Sequence, residues 1–332
     1  MRALPAALAA AGLLLMPTPA GAQNDVSGQM KWSQRADWAT IEQTSTFSDQ
    51  IRRSLEQIKL PAGFKISLFA IAPHASQMAV SPQGIAVFVG TRKSHVWVIT
   101  DRNKDRVADE VKSFAPAIAF KSPTGVCFSS DGFLYIVEQN RVQIFPAAEY
   151  SYESAGGPVA EIVPQGKLIP PDEKSTKNAA RVCHVGPDNK LYISLGQPFD
   201  GPPEKADFHK QWGIGGIIRM DRDGRNREVI APSVGNSGQV GEHLLHTTNP
   251  GMLIYTGTMF PEKYRGIFSA QQNRVLFMPK NADGNAVKIG LFAEGWHQPS
   301  AGRLVDIAQL HDGSILVSDE LAGAIYRISF GD

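Results

Sequence analysis

The sequence predicts an all-β propeller built from four-stranded blades, and three observations support this fold class. Short apolar strands separated by Gly- and Asp-rich turns begin near Leu60 and continue to the end of the 332-residue chain. The strands fall into repeating groups of four, which is the organisation typical of propeller blades. The fifth group lacks its fourth strand, and an unassigned strand, "FKISLFA" (64–70), precedes the first group.

Five blades can be assigned in chain order. Their first two strands read "QMAV" and "IAVFVG", "GVCF" and "FLYIVE", "RVCHV" and "KLYISL", "GMLIY" and "GIFSA", and "LVDIA" and "SILVSD". We expect the N-terminal strand 64–70 to pair with the last strand and close the ring, because closure removes a free sheet edge. A stacked β-sandwich array is the alternative. Residues 232–249 contain no convincing strand, so a sixth blade is not assigned.

The N-terminal region precedes the propeller. Residues 1–22 combine one arginine, an apolar run over Ala6–Met16 and an Ala-Gly-Ala ending, which predicts a signal peptide cleaved after Ala22 and export to the periplasm or medium. A retained membrane anchor is the alternative, and no later stretch is apolar enough to span a bilayer. Residues 23–58 are predicted as a flexible lead-in with a short helix over Phe47–Ile58, capped by Thr46 or Ser48. The propeller domain then covers residues 59–332.

Composition excludes several classes of protein. Lys and Arg total 33 against 32 Asp and Glu, so the chain lacks the basic excess typical of nucleic-acid-binding proteins. No G-x-S-x-G motif, phosphate-binding glycine loop or dinucleotide fingerprint is present. The two cysteines, Cys127 and Cys183, precede comparable turns of neighbouring blades. A disulfide between them is one interpretation, and two separate buried thiols are favoured.

Two segments contain further candidate residues. The loop "DRNKDRVADE" places Asp101, Asn103, Asp105 and Asp109 at the alternate spacing of a calcium loop. It lacks the glycine and the glutamate of such a loop, so a solvated hairpin loop is favoured. The long insert in the third blade contains Phe199, His209 and Trp212. An aromatic sugar-stacking role is one interpretation, and packing of the loop on itself is favoured.

Segments along the whole propeller resemble the soluble quinoprotein glucose/sorbosone dehydrogenase family. They include "IKLPAGFKISLFA", "SPTGVCFSSDGFLYIVEQNRV", "IIRMDRDGRNREVIA", "YTGTMFPEKYRGIF" and "AGRLVDIAQLHDGSILVSDELAGAIYRISF". The resemblance covers about residues 58–332, and the last segment is the most specific. It implies an exported propeller, six-bladed in the family, that binds pyrroloquinoline quinone (PQQ) and calcium at the mouth of the ring. The implied activity is oxidation of a sugar or a related alcohol or aldehyde, with electrons passed to a periplasmic acceptor.

The resemblance also assigns site residues. Asn178 occupies the position of the family's catalytic histidine, and Arg181 and His246 are the other candidate catalytic residues. The implied cofactor-binding residues are Asn236, Asn273, Arg274, Arg303 and Asp319.

The chain also departs from the family pattern. Gly235 replaces a family arginine, and the blade that carries the family's calcium loop is missing. An amide at 178 cannot act as a base. A non-catalytic periplasmic propeller that binds a ligand or partner is therefore the second interpretation.

Overall fold

The computed structural model describes residues 26–173, 180–196, 203–231, 251–279, 289–296 and 302–331. These residues form a five-bladed β-propeller of antiparallel sheets with few helices, as the sequence predicts. The predicted signal peptide and four candidate residues lie outside the described residues. These candidates are Asn178, Phe199, Asn236 and His246. No helix in the described part of the chain is long and apolar enough to cross a membrane.

The chain begins with elements that precede the first blade. Strand β1 spans Lys31–Trp32, helix α1 spans Thr46–Ser54, and strand β2 spans Phe64–Ile71. A 3₁₀ turn, Leu55–Gln57, extends α1. The cap is Ser45, which exchanges hydrogen bonds with Ser48, and not Thr46 or Ser48 as the sequence suggested.

Blades 1 to 3 follow in chain order. Blade 1 comprises β3 (Ala75–Val80), β4 (Val87–Thr91), β5 (Trp97–Thr100) and β6 (Glu110–Ser113). Blade 2 comprises β7 (Gly125–Phe128), β8 (Leu134–Val137), β9 (Val142–Phe145) and β10 (Pro158–Val163), with helix α2 (Ala148–Ser151) after β9. Blade 3 comprises β11 (Arg181–Val185), β12 (Leu191–Leu195), β13 (Ile217–Met220) and β14 (Glu228–Ala231), with helix α3 (Ala206–Trp212) between β12 and β13.

Blades 4 and 5 complete the propeller. Blade 4 comprises β15 (Met252–Ile254), β16 (Gly266–Gln271), β17 (Arg274–Pro279) and β18 (Gly290–Glu294). Blade 5 comprises β19 (Leu304–Gln309), β20 (Ile315–Asp319) and β21 (Ala324–Phe330), and β2 is its outer strand. Strand β2 pairs antiparallel with β21 from Phe64–Phe330 to Ile71–Ala324. The predicted pairing is therefore observed, whereas closure of the complete ring stays a prediction.

Apolar cores join the blades at four of the five junctions. Phe88 and Leu134 belong to the core of blades 1 and 2, and Leu191 belongs to the core of blades 2 and 3. Phe268 belongs to the core of blades 4 and 5, and Leu316 to that of blades 5 and 1. Strands enclosed on both faces are continuously apolar, as in "LYIV" of β8. At the junction of blades 3 and 4, residues 232–250 fall outside the described part of the chain.

Where the structure describes it, the lead-in contacts the outer strands of the propeller, and its predicted flexibility stays a prediction. Strand β1 pairs with β10 at the outer edge of blade 2. Further along, the backbone N–H of Ile41 donates to Val111 O in the outer strand of blade 1 (2.9 Å). The Gln43 side chain then exchanges hydrogen bonds with the backbone of Ile71. The outer strands would otherwise present unpaired backbone groups, and the lead-in satisfies them.

A disulfide links the inner strands of blades 2 and 3. Cys127 in β7 and Cys183 in β11 are bonded, with a Cα–Cα distance of 5.8 Å and a sequence separation of 56 positions. The favoured interpretation of two separate thiols is therefore wrong. The inner strands of neighbouring blades lie side by side at the ring centre, so two cysteines at matching strand positions meet.

Candidate functional site

Five of the residues assigned by resemblance lie at one end of the ring. We call it the mouth end, the end at which each inner strand begins and at which each second strand connects to the third. Arg181 begins β11, Arg303 precedes β19, and Asp319 ends β20. Asn273 and Arg274 lie at the connection of β16 to β17. The fold therefore brings residues from three blades to a single face.

Asp319 is a structural anchor at this face. Its side chain is fully buried and both carboxylate oxygens accept hydrogen bonds. The donors are the backbone N–H groups of Gly302, Arg303, Leu321 and Ala322 and the hydroxyl of Tyr326, at 2.9–3.2 Å. Burial, with the nearby Asp319 charge, raises the pKa of Tyr326 well above its ordinary value. The Asp319 carboxylate thus fixes the two connections that carry Arg303 and Glu320.

Arg303 extends from this anchored connection. Its side chain is 52% exposed, and its Nε lies 3.5 Å from Oε2 of Glu320. Arg92, from the mouth end of blade 1, donates through Nε to the same oxygen at 2.9 Å. The Glu320 side chain is only 7% exposed, so one buried carboxylate holds two arginines from neighbouring blades. Because there are two guanidinium groups and one carboxylate, the cluster is cationic and Arg303 is its exposed member.

Asn273 lies next to Arg303. The turn that contains it places Gln272 at a left-handed φ of 50°, and Gln272 O accepts from Leu304 N at 2.6 Å. Gly302 is pressed against this turn, since a Cβ at position 302 would lie 3.3 Å from the Asn273 Cβ. The structure therefore brings Asn273 close to the backbone that precedes Arg303, and Arg274 is exposed in the same turn.

Arg181 is the buried cation of this face. Nη1 of its side chain donates to Ala180 O at 2.8 Å, and its backbone N–H donates to Thr124 Oγ1 at 2.6 Å. Burial lowers the pKa of the Arg181 guanidinium to about 10, so it keeps its charge at neutral pH.

The side chain of Gln77 ties three blades together near the ring centre. Its Oε1 accepts from the backbone N–H of Val126 and of Cys183, both at 3.0 Å. Its Nε2 donates to Cys183 O at 2.8 Å. One carboxamide on the inner strand of blade 1 therefore crosslinks the inner strands of blades 2 and 3. Nothing in the local sequence "ASQMAV" signals this role.

Asp306 is a buried carboxylate between inner strands. Its Oδ2 accepts from the backbone N–H of Met78 at 2.7 Å, which joins blade 5 to blade 1. The backbone of Gly251 lies so close that a Cβ there would be 2.4 Å from Oδ1. Burial raises the pKa of Asp306 to about 7, and the hydrogen bonds from the backbone only partly oppose this rise.

The insert of blade 3 forms a histidine–carboxylate pair at the mouth end. His209 in α3 contacts Glu173, in the connection from blade 2 to blade 3, with 2.9 Å between Nε2 and Oε2. Lys205 Nζ donates to the other oxygen of Glu173 at 2.6 Å. That hydrogen bond is the main cause of a lowered pKa of Glu173. Both members of the pair are buried, with side chains only 8% exposed.

The two aromatic residues of α3 have different surroundings. The Trp212 ring packs against the core of blades 2 and 3, and the Arg227 guanidinium lies 5.3 Å from its centroid. Phe208 is 38% exposed and lies beside the His209 ring. Loop packing, the favoured interpretation, therefore describes Trp212, whereas Phe208 offers an aromatic face to solvent.

The candidate calcium loop lies at the opposite end of the ring, between β5 and β6. Its carboxylate and carboxamide oxygens accept hydrogen bonds from the loop's own backbone, including Arg102 N to Asp109 Oδ2 (2.6 Å), Arg106 N to Asp101 Oδ2 (3.1 Å) and Asp105 N to Asn103 Oδ1 (2.8 Å). Such Asx-type bonds are typical of a self-supported hairpin loop. Among the residues that the structure describes, no group of three or more His, Cys, Asp or Glu could hold a metal ion.

Two clefts also lie at that opposite end, between blades 2 and 3. They have volumes of about 410 and 700 Å³ and share Asp131, Asn189 and Arg222. Arg222 binds both oxygens of Asp131 at 2.8 Å and the Tyr135 hydroxyl at 2.7 Å. Because its guanidinium forms hydrogen bonds with residues of both blades, we infer that Arg222 links the two blades structurally.

Comparisons with known proteins agree with the fold. A solved structure of a Trichoderma reesei enzyme of carbohydrate-active family AA12, described as a calcium structure, superposes with a TM-score of 0.59 at 10% identity over 83% of this chain and 97% of that one. The PQQ domain of pyranose dehydrogenase from Coprinopsis cinerea gives 0.58 at 11% identity, covering 82% and 97%. The soluble aldose sugar dehydrogenase from Escherichia coli gives 0.53 at 11% identity, covering 80% and 99%.

These likenesses concern the fold alone, because the sequence identities are low. No protein-family model matches the chain, and no curated protein sequence matches it either.

Proposed function

We propose that the protein is an exported oxidoreductase of the quinoprotein sugar dehydrogenase type, acting on a sugar or a related alcohol or aldehyde at the mouth end of the propeller. The observation that carries the proposal is that Arg181, Asn273 and Arg303, residues that the resemblance assigns to the site, all lie at this end of the ring. The disulfide supports export, because such bonds persist in oxidising compartments.

The residues at the mouth end match PQQ in charge. PQQ is an anionic o-quinone with three carboxylates, and arginine and asparagine are suited to bind such groups. Arg303 is half-exposed and belongs to a cluster with excess positive charge, and Asn273 lies beside it. These two residues would hold the quinone, which when bound supplies a two-electron acceptor. The described residues do not fit calcium, because no suitable ligand group is found among them.

The chain's own residues would act by holding and orienting ligands. Glu320 fixes the direction of Arg303 and of Arg92, and Asp319 fixes the connection that carries Arg303. Arg303 then presents guanidinium N–H groups to an anionic ligand without first having to be ordered. Asp319 itself has no oxygen free of hydrogen bonds, so we assign it to positioning and not to ligand contact.

Arg303→Gln tests this proposal. Purified mature protein is titrated with PQQ, with and without calcium, while the quinone absorbance and dye reduction are followed with a panel of sugars. We expect saturable binding by the natural protein and at least a tenfold weaker binding by Arg303→Gln, because a charge-assisted contact to a carboxylate is lost.

Arg102→Gln is the matched control, because Arg102 is an exposed arginine at the opposite end of the ring and its loss should leave PQQ binding unchanged. Absence of saturable quinone binding by the natural protein would refute the proposal.

The second candidate is a non-catalytic periplasmic propeller that binds a sugar or a partner. It is favoured by the full engagement of Asp319 within the protein and by the amide at position 178. This function predicts sugar or partner binding without dye reduction in the same titration, so one experiment distinguishes the two candidates.

A further inference from the structure

The pair formed by His209 and Glu173 has the features of a general base. The carboxylate of Glu173 contacts Nε2 of the imidazole, and Lys205 occupies the other carboxylate oxygen. When Nε2 carries the proton and donates it to Glu173, the lone pair lies on Nδ1. Among the described residues, none forms a hydrogen bond with Nδ1 of His209.

The pair also lies at the same end of the ring as Arg181 and Arg303. Residue 209 belongs to the connection from β12 to β13, and Glu173 belongs to the connection that leads into β11, which begins with Arg181. Both connections leave their strands at the mouth end. Phe208, beside His209, exposes an aromatic face of the kind on which sugar rings stack.

Oxidation of a sugar hydroxyl carbon requires a base at this end. The carbon loses hydrogen with an electron pair to a two-electron acceptor of the o-quinone class, the hydroxyl oxygen loses its proton, and a C=O bond forms. Position 178, by resemblance the site of such a base, holds an amide that cannot accept the proton.

We propose that His209 is the general base of the reaction, taking the hydroxyl proton of the sugar on Nδ1, and that Glu173 is its positioning residue. This inference rests on the proposed oxidoreductase function. Glu173 orients the ring, selects the tautomer and stabilises the imidazolium that forms, as the carboxylate does in a catalytic triad. A lowered pKa of Glu173 agrees with this role, since the carboxylate must stay ionised.

The kinetic test compares variants of the mature protein with PQQ and a reducible dye. We expect His209→Gln to lower kcat by about 10²–10⁴-fold, the usual contribution of a general base, while PQQ binding stays unchanged. Glu173→Gln should lower kcat by about tenfold or more, and Glu173→Asp should restore part of the loss. His184→Gln is the matched control, because His184 is an exposed histidine of the same blade.

Rescue by the conservative variant separates a positioning role from a structural one. Glu173 and Lys205 are the charged groups that contact the pair from the two elements packed together there. Glu173→Asp keeps a negative charge beside the imidazole, whereas Glu173→Gln removes it, so recovery of kcat in Glu173→Asp alone indicates positioning. A variant that merely loosened the insert would lower kcat to the same extent in both cases.

A second measurement needs no turnover. Diethyl pyrocarbonate modifies accessible imidazoles, and peptide mass mapping is required because the chain contains eight histidines. Sugar should protect His209, and not His184, from modification.

The outcomes distinguish this inference from the proposed function. If the natural protein reduces dye and His209→Gln keeps its rate within threefold, the assignment of His209 is wrong while the oxidoreductase function stands. If the natural protein binds no quinone, the proposed function fails, and the assignment of His209 as its general base fails with it. Absence of protection by any sugar overturns the inference.

Discussion

At the residue scale, two buried carboxylates of blade 5 have partners in blade 1. Glu320 holds arginines of blades 5 and 1, and Asp306 receives the backbone N–H of Met78 from blade 1. The two carboxylates differ in the groups that compensate their negative charge. Glu320 faces two cations, whereas Asp306 has only backbone N–H groups as the partners that favour its ionised form.

Asp306 should therefore make the stability of the protein depend on pH. Its folded-state pKa of about 7 lies above the unfolded value of about 3.9. As the pH rises through this interval, the unfolded chain releases the proton while the folded chain retains it, so the free energy of unfolding falls. The loss begins near pH 4 and is complete above about pH 7, where both states are ionised.

Asp306→Asn removes this dependence while keeping an oxygen acceptor for Met78 N–H. Between pH 5 and pH 8, the free energy of unfolding of the variant should rise by about 2–3 kcal/mol relative to that of the natural protein. The reason is that a difference of one unit between the folded and unfolded pKa corresponds to about 1.4 kcal/mol. Urea unfolding at the two pH values measures this gain. Asp306→Ala should show the same relative rise with pH. Its free energy of unfolding should lie below that of Asp306→Asn by about 1–3 kcal/mol at both pH values, since the Met78 N–H loses its acceptor. An equal difference from the natural protein at pH 5 and pH 8 would contradict the role given to Asp306.

At the element scale, strand identity could be predicted from the sequence, whereas contacts between elements could not. The strands of blades 1 to 5 follow from short apolar runs between turn residues, and all of those assigned are present. The contacts of the lead-in could not be predicted, because its hydrogen bonds to distant outer strands leave no apolar period in residues 23–45. The capping of α1 by Ser45 was missed because Thr46 and Ser48 are equally suitable residue types.

The candidate site was predictable only in part, for the same reason. Arg181, Asn273 and Arg303 were found because their positions match a family pattern, and the structure places them at one end of the ring. Gln77 contacts residues 49 and 106 positions away in sequence, and Glu320 contacts Arg92 at a separation of 228 positions, which no local motif encodes. The pairing of His209 with Glu173 likewise spans 36 residues.

The disulfide between β7 and β11 is expected to be a major source of stability for these two elements. The bond joins two residues that are 56 positions apart in sequence and so closes a loop of about that length. In the chain-entropy account, a loop of this length corresponds to about 4 kcal/mol at 25 °C. Cys127→Ser with Cys183→Ser should therefore lower the free energy of unfolding by about 2–5 kcal/mol, measured by denaturant unfolding.

The natural protein unfolded in the presence of a reductant provides the control for this double variant. It should show the same loss, whereas a double variant as stable as the oxidised protein would argue against the bond. The hydrogen bonds of Gln77 to both strands remain in either case, so we expect the inner strands to stay in register.

At the scale of the whole molecule, the two faces of blade 4 differ in burial. One face packs against blade 5 through Phe268 and Phe292. On the opposite face, Met252, Ile254 and Leu291 are 54–57% exposed. The strands of blade 3 alternate between buried and exposed residues, as expected for a sheet covered on one face only. The resemblance implies a further blade between blades 3 and 4.

Substitutions on the two faces of blade 4 should therefore have very different effects on stability. Phe268→Ala removes a fully buried ring and should cost about 3–5 kcal/mol. Ile254→Thr, on the neighbouring strand but on the exposed face, should cost less than about 0.5 kcal/mol, because little apolar surface returns to water. Denaturant midpoints of the purified variants measure both effects. If Ile254→Thr cost more than about 1.5 kcal/mol, the exposed face of blade 4 would have to be covered in solution.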